Sequence, residues 1–526
     1  MSGLNSGLAG RLKSPAYGAA LVAFTLAATG AQARTIGAKA GDFVNIRDFG
    51  AIGDGNSHPI STKFSTLAMA QVVYPEAVAL TDEIDWCAAQ RCANYCNGNG
   101  AETFVPNGKY VFNHAWTVSD TSDSSETSFR TSIRGAGQRG TVISWANGAD
   151  SGLSITGTNS NGGAVAQQYV RDISLVKNDR ASVGLSVTAI SHMAVEDVYS
   201  TGWNLGIQYV DVQESIQKNV VVNWCNGGLL SKKGSFTQPN ALSFYNCTYG
   251  NCANYGIDAQ DCSTFVYVGG SIESNNNATS STANSVWGVR VVTDTAATEG
   301  TSAATFIGTY FENNGSQTAG VGAADIVYSN SAQESTINLI GCSFQRHSYF
   351  GTNCLMVTTA GGFRHKINLQ GNGFRGFSDY TASASRPYWQ SYSATDKVQV
   401  VDLGNLYDAA IETPAPSGYA GTNTRVISER SFVGGWVKFA GTTGAVIAGE
   451  NYSSVSRSST GVYVINEATT DPDQNRAYTV TLGGGAGFGW VSGESNSGLT
   501  VSTANTSGTA TDFNTVTVTW TAHPGA

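Results

Sequence analysis

Charge is scarce in this chain: only 13% of its 526 residues are Asp, Glu, Lys or Arg, and acid outnumbers base to give a net charge of -9. A reader of phosphate backbones needs Lys and Arg in excess along one face, so nucleic acid is not an expected partner. The nine cysteines are an odd number and cannot all pair within the chain. Neither CxxC nor HxH occurs, and the six histidines (58, 114, 192, 347, 365 and 523) are scattered, so no metal centre or other cofactor is expected. Beyond the N-terminal run Ala19 to Ala28, no stretch is long and apolar enough to span a bilayer. One GxGxxG occurs, GAGQRG at 135–140, but the strand-like TVISW follows it and no helix opens to receive a pyrophosphate. That context excludes a dinucleotide fingerprint.

What is abundant is glycine and aromatic residues: Gly 62, Tyr 22, Phe 21 and Trp 10. The mixture suits tightly turned β structure better than helices. The length predicts one long solenoid or two to three domains. Cys87, Cys92 and Cys96 fall in a helix-like segment, while Cys225, Cys247, Cys252, Cys262 and Cys342 fall in strand-like runs, all in the manner of small buried thiols.

The clearest internal signal is a repeat. Eight segments share a turn residue, a short strand and a second turn: DISLVK, DVYSTG, NVVVNW, NCTYGN, GGSIES, GTYFEN, GCSFQR and GNGFRG. They start at Asp172, Asp197, Asn219, Asn246, Gly269, Gly308, Gly341 and Gly371, with spacings of 25, 22, 27, 23, 39, 33 and 30 residues. A second column runs in phase with the first: Gly184-Leu, Gly206-Ile, Gly228-Leu, Gly256-Ile and Gly288-Val. A period of this size is what one solenoid coil requires, because each coil buries its apolar face only against its neighbours. The longer coils carry insertions such as NNNATSSTANS (275–285), and insertions of this kind gather on one face that is often the binding face.

At 48–55 stands DFGAIGDG, whose glycines permit tight turns and whose Asp48 and Asp54 cap backbone amides. Thr81-Asp82-Glu83, the helix-like IDWCAAQRCANYC and PNGKYVF (106–112) come after it, with residues 56–80 inserted between. This order resembles the opening of pectate-lyase-like right-handed parallel β-helices, and the helix would cap the open end of the solenoid. Residues 18–55, with their apolar Gly/Ala stretch and Ala-Arg-Thr, resemble the connector that leads from tail attachment into the β-helix of bacteriophage tailspikes. The same N-terminus also reads as a signal peptide, since Arg11 and Lys13 precede the apolar run and AQA stands at 31–33. NYSSVSRSSTGVYVI (451–465) and DPDQNRAYTV (471–480) resemble a C-terminal module of phage tail fibres and tailspikes.

The expected fold is therefore all-β: a right-handed parallel β-helix with a small N-terminal cap helix and a separate C-terminal β domain. The expected divisions are a connector or signal peptide at 1–43, the solenoid at 44–410, a linker at 411–425 and the C-terminal domain at 426–526. The resemblance implies a homotrimeric virion tailspike, joined to phage tail proteins through its N-terminus, that binds and depolymerises host capsule or O-antigen. A polysaccharide lyase on the same fold, a non-enzymatic adhesin and an exported pectinase-like enzyme are the alternatives.

Strand alternation supplies the candidate residues. Leu185, Ile207, Leu229, Ile257 and Val289 point inward, so Asp258 and Arg290 face out as neighbours on adjacent coils. Ile272, Phe311, Phe344 and Phe374 point inward too, which turns Glu273, Glu312, Gln345 and Arg375 outward. In register, Glu273 and Glu312 stand at about the 5–5.5 Å separation of a retaining glycosidase. Glu273, Glu312 and Asp258 are the catalytic candidates; Arg290, Trp287 and Tyr310 are the substrate-binding ones. Trp203 is either a further sugar platform or core, and Arg290, Lys232 and Lys233 are the basic residues a lyase would need.

Overall fold

A computed structural model describes residues 23–24, 34–35, 44–99, 101–119, 132–148, 151–157, 165–275, 287–293, 302–314, 324–330, 332–345, 353–359, 363–375, 389–393, 397–407, 424–428, 436–450, 452–467, 476–495 and 498–522. The expected connector at 1–43 and linker at 411–425 lie almost wholly outside them.

The chain is a right-handed parallel β-helix followed by antiparallel sheets. Successive coils add strands to three parallel sheets. The first opens at Val44–Asn45 and the second at Gly108–Phe112; the third has ten strands, from Trp116–Ser119 to Trp389–Ser393. The corner between the first two sheets is where the repeat begins. All eight turn residues, from Asp172 to Gly371, have positive φ, between 49° and 64°. Only Gly, Asn and Asp occupy this column, the residue types that tolerate the left-handed region. Gly404, at φ 64°, adds a ninth coil that the sequence reading had not counted.

Inward side chains stack coil on coil. Leu185, Ile207, Leu229, Ile257 and Val289 are fully buried and paired in register down the third sheet. Under the second sheet Phe311, Phe344 and Phe374 form a pile with centroids 4.7 and 4.9 Å apart and nearly parallel rings. Each buried ring contributes about 2–3 kcal/mol. Two corner asparagines bond the neighbouring coil: Asn275 Nδ2 donates to the Tyr249 carbonyl at 2.8 Å, and Asn314 Nδ2 to the Ile272 carbonyl at 2.7 Å. All nine cysteines are buried and free of disulfides.

The open end carries the expected helix, Ile84–Asn99, which buries Ile84, Trp86, Cys87, Cys92 and Cys96. Asp85 explains why this helix and DFGAIGDG belong together. Its Oδ1 accepts from the Ile52 and Gly53 amides (2.6 and 3.2 Å) and its Oδ2 from the Val111 amide (3.1 Å), tying the glycine turn to the first coil. Gly50, Gly53 and Gly55 all have positive φ, as the turn requires. The inserted residues 56–80 hold a second helix, Leu67–Val73, capped by the Thr66 hydroxyl.

The chain divides into two compact units, the second comprising Gln399–Gly404 and Arg425–Ala526. That unit contains two four-stranded antiparallel sheets. Val437, Phe439, Tyr463, Ile465, Leu499, Val501, Val516, Val518 and Trp520 form its core.

Candidate active site

Glu273 and Glu312 are the last residues of Ser271–Glu273 and Tyr310–Glu312, adjacent strands of the second sheet, and they are direct register partners. Ile272 and Phe311 fill the core, so alternation throws both carboxylates outward. Adjacent strands lie about 4.8 Å apart, which brings the carboxyl groups into one patch. The column they occupy runs Asn223, Gly250, Glu273, Glu312, Gln345, Arg375. Beside it on the same face run Thr248, Ser271, Tyr310, Ser343 and Gly373. Short side chains thus flank Tyr310 on both sides, with the two acids in the adjoining column.

The two acids have different surroundings. Among the described residues no hydrogen bond reaches the Glu273 carboxyl. Its pKa is raised above the usual carboxylate range, first by burial and then by the charge of Glu312. Glu312 Oε2 lies 2.7 Å from the Tyr310 hydroxyl, which also stands 2.7 Å from Gln345 Oε1. A phenol has one proton, and the carboxylate is the stronger acceptor. Burial, then the hydrogen bond to Glu312, pushes the Tyr310 phenol well up, so it remains a donor. Asn313 Nδ2 makes a long contact to Glu312 Oε1 at 3.4 Å. The pair therefore consists of one carboxyl biased toward holding a proton and one held by donors.

Asp258 and Arg290 are also register partners, on the third sheet, and they close on one another. Arg290 Nε donates to Asp258 Oδ1 at 2.8 Å and its second guanidinium nitrogen to Oδ2 at 2.6 Å; Gln260 Nε2 adds a third bond at 3.0 Å. Asp258 is left 4% exposed. The Arg290 guanidinium lies over Trp287, 4.4 Å from the ring centroid, and Tyr255 stacks on the same indole at 6.0 Å. Trp287 is 6% exposed. The sequence brought these residues together correctly, but in this chain they pack on each other. Trp203 is core, its indole N–H donating to the Leu175 carbonyl at 3.1 Å. Lys232 ends the third-sheet strand Gly227–Lys232, in register with Val210, and belongs to neither cluster; Lys233 follows it.

Sequence reasoning had Tyr310 as a sugar platform and missed its hydroxyl contact with Glu312. The signal was present: residues two apart on a strand share a face. The insertion at 275–285 lies outside the described residues except for Asn275.

No protein-family model matches the chain, and no curated protein does. Solved structures match by fold. The enzymatically active domain of tailspike protein 2 from bacteriophage CBA120 matches with a TM-score of 0.51 at 14% identity, over 94% of this chain and 72% of that one. The tailspike protein gp49 from Pseudomonas phage LKA1 has a TM-score of 0.49 at 15% identity, over 92% of this chain and 100% of that one. The mannuronan C-5 epimerase AlgE4 A-module of Azotobacter vinelandii has 0.44 at 13%, over 73% of this chain and 95% of that one. At these identities the likeness concerns the fold alone, a parallel β-helix shared with the domain of tailspike protein 2.

Proposed function

We propose that the protein is a virion tailspike that binds host surface polysaccharide and cleaves it by acid/base hydrolysis at Glu273 and Glu312. The observation that carries this is the in-register pair itself: two outward carboxylates on adjacent coils, with Glu273 shifted toward its protonated form. Like charges at this separation drive two carboxyl groups toward different protonation states, which supplies an acid and a base from one residue type. Glu273 protonates the leaving glycosidic oxygen. Glu312, steadied by Tyr310, attacks the anomeric carbon as the nucleophile of a retaining mechanism; water, deprotonated by the now-ionised Glu273, then cleaves the glycosyl–Glu312 bond, releasing the sugar and restoring both carboxyls. The small residues Ser271, Ser343 and Gly373 in the neighbouring column support an extended chain lying across them. The fold shared with the enzymatically active tailspike domain supports the same reading.

The test is to spot purified protein on lawns of capsulated hosts and to measure reducing-end release from the extracted polysaccharide, with Glu273→Gln and Glu312→Gln beside the wild type. Loss of clearing and of reducing ends in both variants is expected. Clearing that survives both substitutions removes the catalytic assignment. Products absorbing as unsaturated uronates would instead make the protein a lyase, and binding without clearing on every host would make it an adhesin. The same reading includes a homotrimer attached to the tail through residues 1–43, which light scattering and assembly with tail proteins would test.

A further inference from the structure

A second left-handed column closes the short strands of the second sheet, immediately after the column that holds the two acids. Its members are Gly202, Trp224, Asn251, Ser274 and Asn313, with φ of 77°, 56°, 51°, 53° and 53°. Four are small or are Asn, types that accept this conformation at low cost. Trp224 is the exception. A bulky aromatic at positive φ is disfavoured by its own backbone, and such outliers persist where the surroundings or a function hold them. Trp224 is 48% exposed, and among the described residues its ring stacks on no other aromatic.

Its position is informative. Asn223, the residue before it, lies in the acid column, and the next coils place Gly250, Glu273 and Glu312 along that column. Trp224 therefore stands two coils from Glu273, about 10 Å along the solenoid axis. Between them Gly250 contributes no side chain. A Cβ there would meet the Glu273 carbonyl at 3.4 Å, Glu273 Cγ at 3.5 Å and Asn223 Oδ1 at 3.9 Å. Gly250 is buried between its neighbours, so the side chains of Asn223 and Glu273 approach one another across it and line the way from the exposed indole to the acids, over a distance that a short oligosaccharide spans.

We infer that Trp224 is a distal sugar platform: its indole stacks on the C–H face of a pyranose ring two to three residues from the scissile bond, fixing the chain along the solenoid axis. This rests on the polysaccharide reading above and adds the direction in which the substrate lies. It also explains the unfavourable backbone. A Gly or Asn would suit the corner better but offers no ring.

The experiment compares Trp224→Gly, Trp224→Phe and Glu273→Gln on a polysaccharide from a host that the protein clears, measuring KM, kcat and thermal midpoint. Trp224→Gly should raise KM about tenfold, the size of one aromatic stacking contact, with a smaller change in kcat. It should also raise the thermal midpoint, because glycine relieves the left-handed strain. Trp224→Phe should recover most of the lost affinity. An unchanged KM in Trp224→Gly, or a lowered midpoint with KM following stability alone, overturns the platform. If no host polysaccharide is bound by the wild type, the platform falls as well. If Glu273→Gln keeps full turnover while Trp224→Gly still raises KM, the catalytic assignment fails and the platform stands.

Discussion

Two pairs of charged residues occupy equivalent places on adjacent faces of this solenoid, and the chain treats them in opposite ways. On the third sheet Asp258 faces Arg290, and the two close into a bidentate ion pair that also covers Trp287. On the second sheet Glu273 faces Glu312, and the coil register forces like charges together. The geometry is the same, since both are in-register partners on neighbouring coils. The difference lies in one residue's sign. A satisfied pair stabilises its coil boundary; in the like-charged pair burial, and then the facing charge, raise the pKa of Glu273. A solenoid offers an outward column on every face, so a strained one among relaxed ones is a candidate for function.

The sharpest way to break this comparison is to neutralise each pair in turn. Glu273→Gln and Glu312→Gln should each lower turnover about a thousandfold, the scale of a lost general acid or nucleophile, while Asp258→Asn should leave turnover within a small factor of wild type. Reducing-end release measures both. If Asp258→Asn is as damaging as either glutamate variant, the division between the two faces collapses.

Stability should show the reverse order. Asp258→Ala leaves the Arg290 guanidinium without its main partner at a site where the aspartate side chain is 5% exposed and the arginine 28%. The partial exposure of Arg290 places the cost between that of a surface pair and a buried one, about 2 kcal/mol. Thermal or urea unfolding of the full chain would register it. Neither glutamate variant should destabilise the fold.

These expectations separate what the sequence carried from what it did not. The left-handed turn column was legible because Asp, Asn and Gly recur at Asp172, Asn219 and Gly308, and the backbone conformation at that corner admits few other residues. Phe311, Phe344 and Phe374 announced the inward face, and alternation then fixed Glu273 and Glu312. Pairing of Glu273 with Glu312 and of Asp258 with Arg290 followed from counting coils. What alternation could not give was side-chain reach. Tyr310 stands on the acid face, but only the folded coil shows its hydroxyl turned to Glu312. The burial of Trp287 depends on Tyr255, one coil away and joined only through the third-sheet register. Trp224 sat in plain view as the last letter of NVVVNW, yet its oddity appears only once Asn251, Ser274 and Asn313 are seen to share its left-handed backbone.

A charge swap sharpens the comparison further. Glu312→Arg gives the second sheet the arrangement that the third already has, a carboxylate facing a guanidinium across one coil boundary. The Glu273 pKa should fall, because a cation replaces the anion that raises it. Turnover should be lost together with that shift. The thermal midpoint at neutral pH should rise slightly, as expected of an exposed pair, whose contribution is about 0–1 kcal/mol. A variant that neither gains stability nor lowers the Glu273 pKa, followed by carboxyl NMR, would mean that the two charges do not sense one another.

The smallest effect is also the most specific. Because the Glu273 pKa is raised in the folded chain, folding favours its protonated form. That contribution is fully present below the ordinary glutamate value of about 4.3 and is lost as pH rises through the folded value. Glu273→Gln has no proton to lose, so it should match the wild type in acid and become the more stable chain as pH climbs past that window. Solvent screening at this half-buried site limits the gain at pH 7 to a few tenths of a kcal/mol. Asp258→Asn predicts the opposite sign at pH 7, since it discards an ion pair instead of a repulsion. Paired melting curves at pH 4 and pH 7 therefore decide whether Glu273 is harder to ionise in the folded chain. If Glu273→Gln is no more stable at pH 7 than at pH 4, relative to wild type, neither burial nor Glu312 raises the Glu273 pKa.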